Sequence, residues 1–470
     1  MRADEGRQLR IDFEGQPGRA GAEPREHPEA PTLAWSTEAD DPDASAGNTE
    51  DLLERICSRE NMLAACERVV RNGGAGGVDG MGVAELPAWL DANHDALAGR
   101  ILGGRYRPKP VRRVEIPKRE RGKVRLLGIP TAIDRMVQQA VAQQLTPIFE
   151  PGFHPDSYGF RPGRSAHDAL LAVKRHADGG SVWVASTDLE RFFDTVNQSK
   201  LVQLLSDALA DKRVASLVHR FLMAGAAVDG IVEPTPEGTP QGGPLSPLLA
   251  NVLLNELDWE LERRGHAFVR YADDLIIMKR SRKAAERAMG SVAKFVESKL
   301  FLRVNRDKSF VAHISRDVKY LGYAFYRTGG ELRFRAHPRS LASLRDEVRE
   351  ILARSSGWSL DRRRYRMRCL VNGWVGYFRL ADMRGALRSL DMWVRRKIRC
   401  MYWKCWKRAR TKFRALVRLG VSRGQAWEWA NSRKAYWRVA GSGILDRALN
   451  NAKLEELGWA LFHNRYLQVC

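Results

Sequence analysis

Two adjacent carboxylates, Asp273 and Asp274, stand inside the run Phe268-Val-Arg-Tyr-Ala-Asp-Asp-Leu-Ile-Ile-Met278. Apolar, β-prone residues run up to Tyr271 and resume at Leu275, so the pair is expected at the tip of a hairpin with buried flanks. Like charges this close repel unless a cation compensates them, and an all-oxygen site suits a hard ion such as Mg²⁺. Taken alone, the pair reads equally well as a solvated turn. A further carboxylate, Asp188, ends the stretch Ser181-Val-Trp-Val-Ala-Ser-Thr187, whose apolar and β-branched residues read as a strand. The carboxyl ends of strands are where open α/β sheets place their chemistry. If neighbouring strands bring Asp188 beside Asp273 and Asp274, the set suits two metal ions about 3.5–4 Å apart, which activate an attacking hydroxyl and steady a leaving polyphosphate.

The elements that must position these groups belong to a large globular chain. Its 470 residues, 44% hydrophobic, suffice for two or three domains with cores of their own. The net charge of +22 is distributed unevenly. From Arg333 to Cys470 there are 32 Lys and Arg against 10 Asp and Glu, whereas the first 332 residues hold 46 of each sign. The same C-terminal stretch carries nine of the thirteen tryptophans. Most of those rings are expected in a helical core, but an uncompensated field of this size needs a polyanionic partner, and cations with aromatics suit nucleic acid. Six cysteines show no paired spacing, which argues against a zinc module. With no signal peptide and no apolar run of membrane-spanning length, a cytosolic protein with reduced thiols and no membrane contact is expected.

Along the chain, residues 1–48 read as a disordered acidic tail. A helix is expected from about Glu50 to Val70, followed by the glycine-rich loop Asn72 to Gly80. Val111 to Pro117 and Val124 to Ile129 read as two strands around the basic turn Lys118 to Lys123. Helices follow over 134–145, 198–211, 247–264 and 281–300, with a hairpin over 225–240. Beyond Phe334 the pattern is helical, with segments over 341–353, 363–378 and 383–407.

The blocks Gly122-Lys-Val-Arg-Leu-Leu-Gly-Ile-Pro130, Ser157-Tyr-Gly-Phe-Arg-Pro-Gly163, Gly238-Thr-Pro-Gln-Gly-Gly-Pro-Leu-Ser-Pro247, Tyr271-Ala-Asp-Asp274 and Lys319-Tyr-Leu-Gly-Tyr323 occur in the order found in group II intron reverse transcriptases. The chain resembles that family over roughly residues 50–470. The resemblance implies an α+β fold with right-hand polymerase architecture: an N-terminal extension and template-covering loop at 49–104, fingers and palm at 105–332, an all-α thumb or maturase domain at 333–408, and a small DNA-binding domain at 409–470.

It also implies roles. Asp188, Asp273 and Asp274 would be the catalytic carboxylates holding two Mg²⁺, with the Leu189 carbonyl as a further ligand. Phe193 matches the steric gate that leaves no room for a 2′-hydroxyl, with Phe192 packing beneath or beside it. Gln241, Lys118 and Arg125 would contact the incoming dNTP, and Lys308 would protonate the pyrophosphate leaving group. Leu321, Gly322 and Tyr323 match the primer grip. Arg395, Arg396, Lys397, Lys404, Lys407, Arg408, Arg433 and Lys434 are the candidates for nucleic-acid contact.

The implied function is an intron-encoded RNA-directed DNA polymerase. It would copy intron RNA into cDNA during retrohoming and assist splicing as a maturase, with intron RNA, a template–primer duplex and target DNA as partners in the bacterial cytosol and nucleoid. An intron-free relative serving DNA repair or phage defence and an RNA-binding splicing cofactor remain alternatives. Many family members add a His-Asn-His endonuclease; Val439 to Cys470 hold one histidine and one cysteine, so that nuclease is not expected here.

Overall fold

The computed structural model describes residues 50–470 apart from 118–123, 229–230, 240–241, 317 and 354–356. The acidic tail expected over 1–48 therefore lies outside the described residues. Two compact units divide the chain, one ending at Arg316 and the other running on to Cys470.

The first unit begins with helices α1 (Leu52–Cys57), α2 (Arg59–Asn72) and α3 (Leu86–Leu102), then strands β1 (Val111–Pro117) and β2 (Val124–Ile129). Helices α4 (Ala132–Phe149) and α5 (Ala166–Asp178) precede β3 (Trp183–Thr187), α6 (Phe192–Thr195), α7 (Gln198–Ala208) and α8 (Lys212–Leu222). After β4 (Ala226–Val228) and β5 (Ile231–Glu233) come α9 (Ser246–Arg263), β6 (Ala267–Tyr271), β7 (Asp274–Lys279), α10 (Arg282–Lys299) and β8 (Phe310–His313). Local chemistry sets the boundaries. The Thr131 hydroxyl accepts the Asp134 N–H at 3.1 Å to open α4, and Ser281 caps α10 in the same way, so each helix begins where a side chain satisfies an otherwise unpaired backbone donor.

Two four-stranded sheets result, in the orders β2-β1-β4-β5 and β6-β7-β3-β8. The sequence marks both strands of the β1–β2 hairpin, which pairs Val114 with Leu127. It gives no sign that β1 also pairs in parallel with distant β4, Val111 opposite Ala226. In the second sheet the apolar runs of β3, β6 and β7 are buried. They pack with Val292 and Val296 of α10 and with Leu253, Leu254 and Leu257 of α9 into one core.

The second unit opens with a three-stranded sheet, β9 (Lys319–Tyr320), β10 (Tyr323–Thr328) and β11 (Glu331–Ala336). Its helices are α11 (Pro338–Ile351), α12 (Leu360–Tyr377), α13 (Arg384–Cys405), α14 (Ala409–Arg418), α15 (Arg423–Ala430), α16 (Tyr436–Ala440), α17 (Gly443–Ala448), α18 (Asn451–Glu456) and α19 (Phe462–Val469). The boundary expected at 332/333 falls inside β11. The change of packing comes at Arg316, so this hairpin sheet belongs with the helices that follow it. Among the described residues no helix is long and apolar enough to cross a membrane.

Candidate active site

The β6–β7 hairpin closes with Tyr271 opposite Asp274, leaving Ala272 and Asp273 as a two-residue loop. Ala272 has φ +55°, in the left-handed region that such loops require and that alanine adopts at a cost. Strand β7 pairs antiparallel with β3 out to Thr187 opposite Leu275. One step further along that register, Asp188 comes across from Asp274. The hairpin tip and the end of β3 therefore deliver the three carboxylates to one edge of one sheet, as the sequence suggests.

Asp188 is 5% exposed, while Asp273 and Asp274 are half-buried. Its backbone is fixed on both sides. The Asp188 N–H donates to Ser309 Oγ at 3.1 Å, and its carbonyl accepts the Asn305 N–H at 2.8 Å. Leu189 bridges Val304, and Lys308 Nζ stands 3.6 Å from Asp188 Oδ2. The segment 303–309 thus clasps the end of β3, and its lysine balances the buried carboxylate. Among the described residues no three acidic, histidine or cysteine side chains stand close enough to form a ready-made metal cage. The donor chemistry nonetheless fits a hard divalent cation, since the carboxylates at this edge offer oxygen alone.

The hairpin is anchored from beneath by residues to which the sequence analysis gave no role. Arg270, 1% exposed, donates from Nε and Nη2 to the carboxylate of Asp258 on α9, which is fully buried, at 2.5–3.0 Å. Its Nη1 donates to the Ala272 carbonyl and to Asn251 Oδ1, both at 3.0 Å. Asn251 in turn donates to the Gly159 carbonyl at 2.9 Å. A Cβ on Gly159 would fall 2.3 Å from Ala272 N, so only glycine lets this segment lie against the turn. One signal was available: an arginine two residues before Ala272, in a strand otherwise apolar, has to find a buried anion.

Phe192 is 2% exposed and packs in the core, while Phe193, edge-on to it at 5.2 Å, is half-buried. A left-handed Arg191, φ +45°, starts the short α6 that carries both rings. The turn at 238–239 braces that helix: Thr239 N–H donates to the Phe193 carbonyl at 2.6 Å, and Gly238 N–H to the Val196 carbonyl at 2.8 Å. Gln198 Nε2 ties the same turn down through the carbonyls of Leu222, Thr235 and Gly238. Gln241 and Lys118 lie outside the described residues. Arg125 is placed by its backbone, which pairs with Ile116. The glycine loop is tethered through Arg135, whose guanidinium donates to the Ala75 carbonyl at 2.8 Å and the Gly73 carbonyl at 3.3 Å.

In the second unit, Leu321 and Gly322 form the two-residue turn between β9 and β10, with φ +47° and +79°. Both positive angles match the tight turn that suits antiparallel strand twist. The Gly322 carbonyl accepts from His337 N–H at 3.0 Å and Ser340 Oγ at 2.9 Å. Tyr377 donates to the Leu321 carbonyl at 2.9 Å, and Tyr323 donates to the Tyr377 carbonyl. Burial pushes the Tyr323 hydroxyl well above its ordinary range, so it remains a donor. Of the basic candidates, Arg395, Arg396, Lys397 and Lys404 are half-buried along α13, while Lys407, Arg408, Arg433 and Lys434 are exposed in the connections that follow.

The sheet edge that carries these carboxylates lies inside a stretch that matches a known family. Residues 116–325 match the reverse transcriptase (RNA-dependent DNA polymerase) family, and residues 341–420 match the group II intron maturase-specific domain. Protein YkfC of Escherichia coli (strain K12) is 34% identical over 316 residues, covering 58% of this chain and 83% of that protein. Group II intron-encoded protein LtrA of Lactococcus lactis subsp. cremoris is 30% identical over 287 residues, 47% of this chain and 48% of LtrA. A chain of the solved partial Cas6-RT-Cas1–Cas2 complex is 23% identical with a TM-score of 0.34, covering 54% of this chain and 43% of that one, too loose a superposition to carry an argument. The chain belongs to the group II intron reverse transcriptases with a maturase-specific domain. It spans most of YkfC but about half of LtrA.

Proposed function

We propose that this protein is a group II intron-encoded RNA-directed DNA polymerase that copies intron RNA into cDNA during retrohoming and assists intron splicing as a maturase. The β3–β7 register carries the reading, because it takes Asp188 and the Asp273–Asp274 hairpin to one sheet edge within the stretch that matches the reverse transcriptase family. Asp188, Asp273 and Asp274, with the Leu189 carbonyl, would hold two Mg²⁺ ions. When bound, such ions supply charge neutralisation and lower the pKa of a bound hydroxyl. Phe193 lies under the sugar and excludes a 2′-hydroxyl. Arg125, Lys118 and Gln241 hold the dNTP, and Lys308, now on Asp188, donates a proton to the leaving pyrophosphate.

The first unit in this reading supplies fingers and palm. The Leu321–Gly322 turn grips the primer, the maturase-matched helices form the thumb, and residues 409–470 contact target DNA. Intron RNA and a template–primer duplex are the partners, in the bacterial cytosol. A purely RNA-binding splicing cofactor would have no need of a strained carboxylate hairpin clamped by a buried ion pair. The test is primer extension on an RNA template with dNTPs and Mg²⁺: RNA-templated cDNA supports the reading, and its absence from folded protein overturns it.

A further inference from the structure

Residues 393–440 hold fifteen Lys and Arg against one acidic residue, Glu428. On α13, Trp393, Arg396, Lys397 and Lys404 lie within roughly 100° of helical arc, while Val394, Ile398 and Met401 are buried. The stripe is an alternation of rings and cations. Arg349 of α11 and Lys397 lie over Trp393 at 5.5 and 5.6 Å. Trp437 of α16 carries Arg396 at 4.3 Å and Lys397 at 5.4 Å, and the neighbouring Tyr436 carries Lys404 and Lys412 at 5.8 and 5.9 Å.

The aromatics of the second unit differ widely in exposure, Trp393 itself being half-buried. Trp403 and Trp459 are 1% and 2% exposed and belong to its interior. Trp437 and Tyr436, by contrast, remain 38% and 45% exposed, and Trp427 in the same basic stretch is 66% exposed. Partly exposed rings that carry cations have both features of a stacking platform: ring surface still open to a base, and charge for the phosphates beside it. A duplex presents phosphates and groove edges and hides its base faces, so it can engage the cations but not the rings. Unpaired bases can engage both. Measured from position 393 to 404, the stripe is about 16 Å long at 1.5 Å per residue, the length of about five stacked nucleotides.

We propose that the face formed by Trp393, Arg396, Lys397, Tyr436 and Trp437 is a binding site for single-stranded nucleic acid, held by base stacking as well as by charge. This deepens the polymerase reading by naming what the second unit holds: an unpaired strand, in addition to any duplex.

The test is equilibrium binding of the full chain to labelled oligo(dT) and oligo(U) 20-mers and to a duplex of equal length, with tryptophan fluorescence followed in the same titrations. Single strands are expected to quench that fluorescence. Trp437→Ala with Tyr436→Ala is expected to weaken single-strand binding about ten- to hundredfold, while duplex binding and the circular dichroism spectrum stay unchanged. The aromatic replacement Trp437→Phe should restore most of the affinity. Comparing the dT and U arms decides whether DNA or RNA is preferred. Equal losses for single strand and duplex, or no loss for either, would overturn the proposal. Asp273→Asn protein should bind the 20-mers normally, so failure of the polymerase reading appears in extension alone and failure of this one in binding alone.

Discussion

Arg270 and Asp258 meet with side-chain exposures of 1% and 0%, directly beneath the turn that carries Asp273. Removing one partner of such a pair leaves an uncompensated buried charge, at a cost of about 3–5 kcal/mol. Asp258→Ala is therefore expected to lower the melting temperature sharply. The apolar pair Arg270→Met with Asp258→Leu should regain most of that stability but not primer extension, because the Ala272 carbonyl and Asn251 lose their donor. Extension at the wild-type rate by the stable double variant would show that the pair serves folding only.

Gly159→Ala places a methyl group 2.3 Å from Ala272 N, so the hairpin must shift. Extension should fall at least tenfold with a modest loss of stability. Gly290→Ala is the control. Its added methyl meets nothing within 4 Å on α10, where alanine is the better helix former, so it should be neutral or stabilising by up to about 1 kcal/mol.

Asp273→Asn should abolish primer extension on an RNA template while leaving RNA affinity nearly intact. Phosphate contacts made elsewhere hold the RNA, and the carboxylate is needed only where bonds form. Filter binding beside an extension assay separates the two effects, and near-normal extension would exclude Asp273 from the metal set.

Phe193→Ala should admit ribonucleotides with little change in stability, because the ring is half-buried. Phe192→Ala should instead destabilise by about 3–5 kcal/mol through the core cavity it leaves. Incorporation of rNTP against dNTP, read beside thermal melts, checks both. Unchanged sugar discrimination in Phe193→Ala would place the gate elsewhere.

Nucleic-acid affinity should fall steeply with salt, each neutralised phosphate adding about 0.7–0.9 to the slope of log K against log salt. Reversing the charges of Arg395, Arg396 and Lys397 should flatten that slope. A titration independent of salt would remove the basic region from the binding surface.

The sequence carried the local features well. Alternating apolar residues marked β1 and β2 at their observed bounds, and the break between Tyr271 and Leu275 marked a hairpin tip, although the loop itself is Ala272–Asp273 and Asp274 opens β7. The helices it marked lie within about a turn of their expected bounds at most ends, but the one expected from Glu50 to Val70 is two, α1 and α2, and α3 and α5 went unmarked. Long-range pairing was not legible. Nothing local to Val111 specifies Ala226 as its parallel partner, and although Arg270 in an apolar strand calls for a buried anion, nothing local to Asp258 marks it as that anion, because a helical aspartate reads as an ordinary surface residue. The Lys319–Tyr323 block was legible as a motif but not as a member of the second unit, since strand pattern alone does not say which core a hairpin joins.

The division at Arg316 bears on how damage spreads through the chain. The carboxylates belong to one compact unit, and the Leu321–Gly322 turn with the aromatic–cation stripe to the other. Changes in one body need not erode the other. A substitution that unsettles the packing after Arg316 is therefore expected to leave the packing around the carboxylates largely intact, and the reverse.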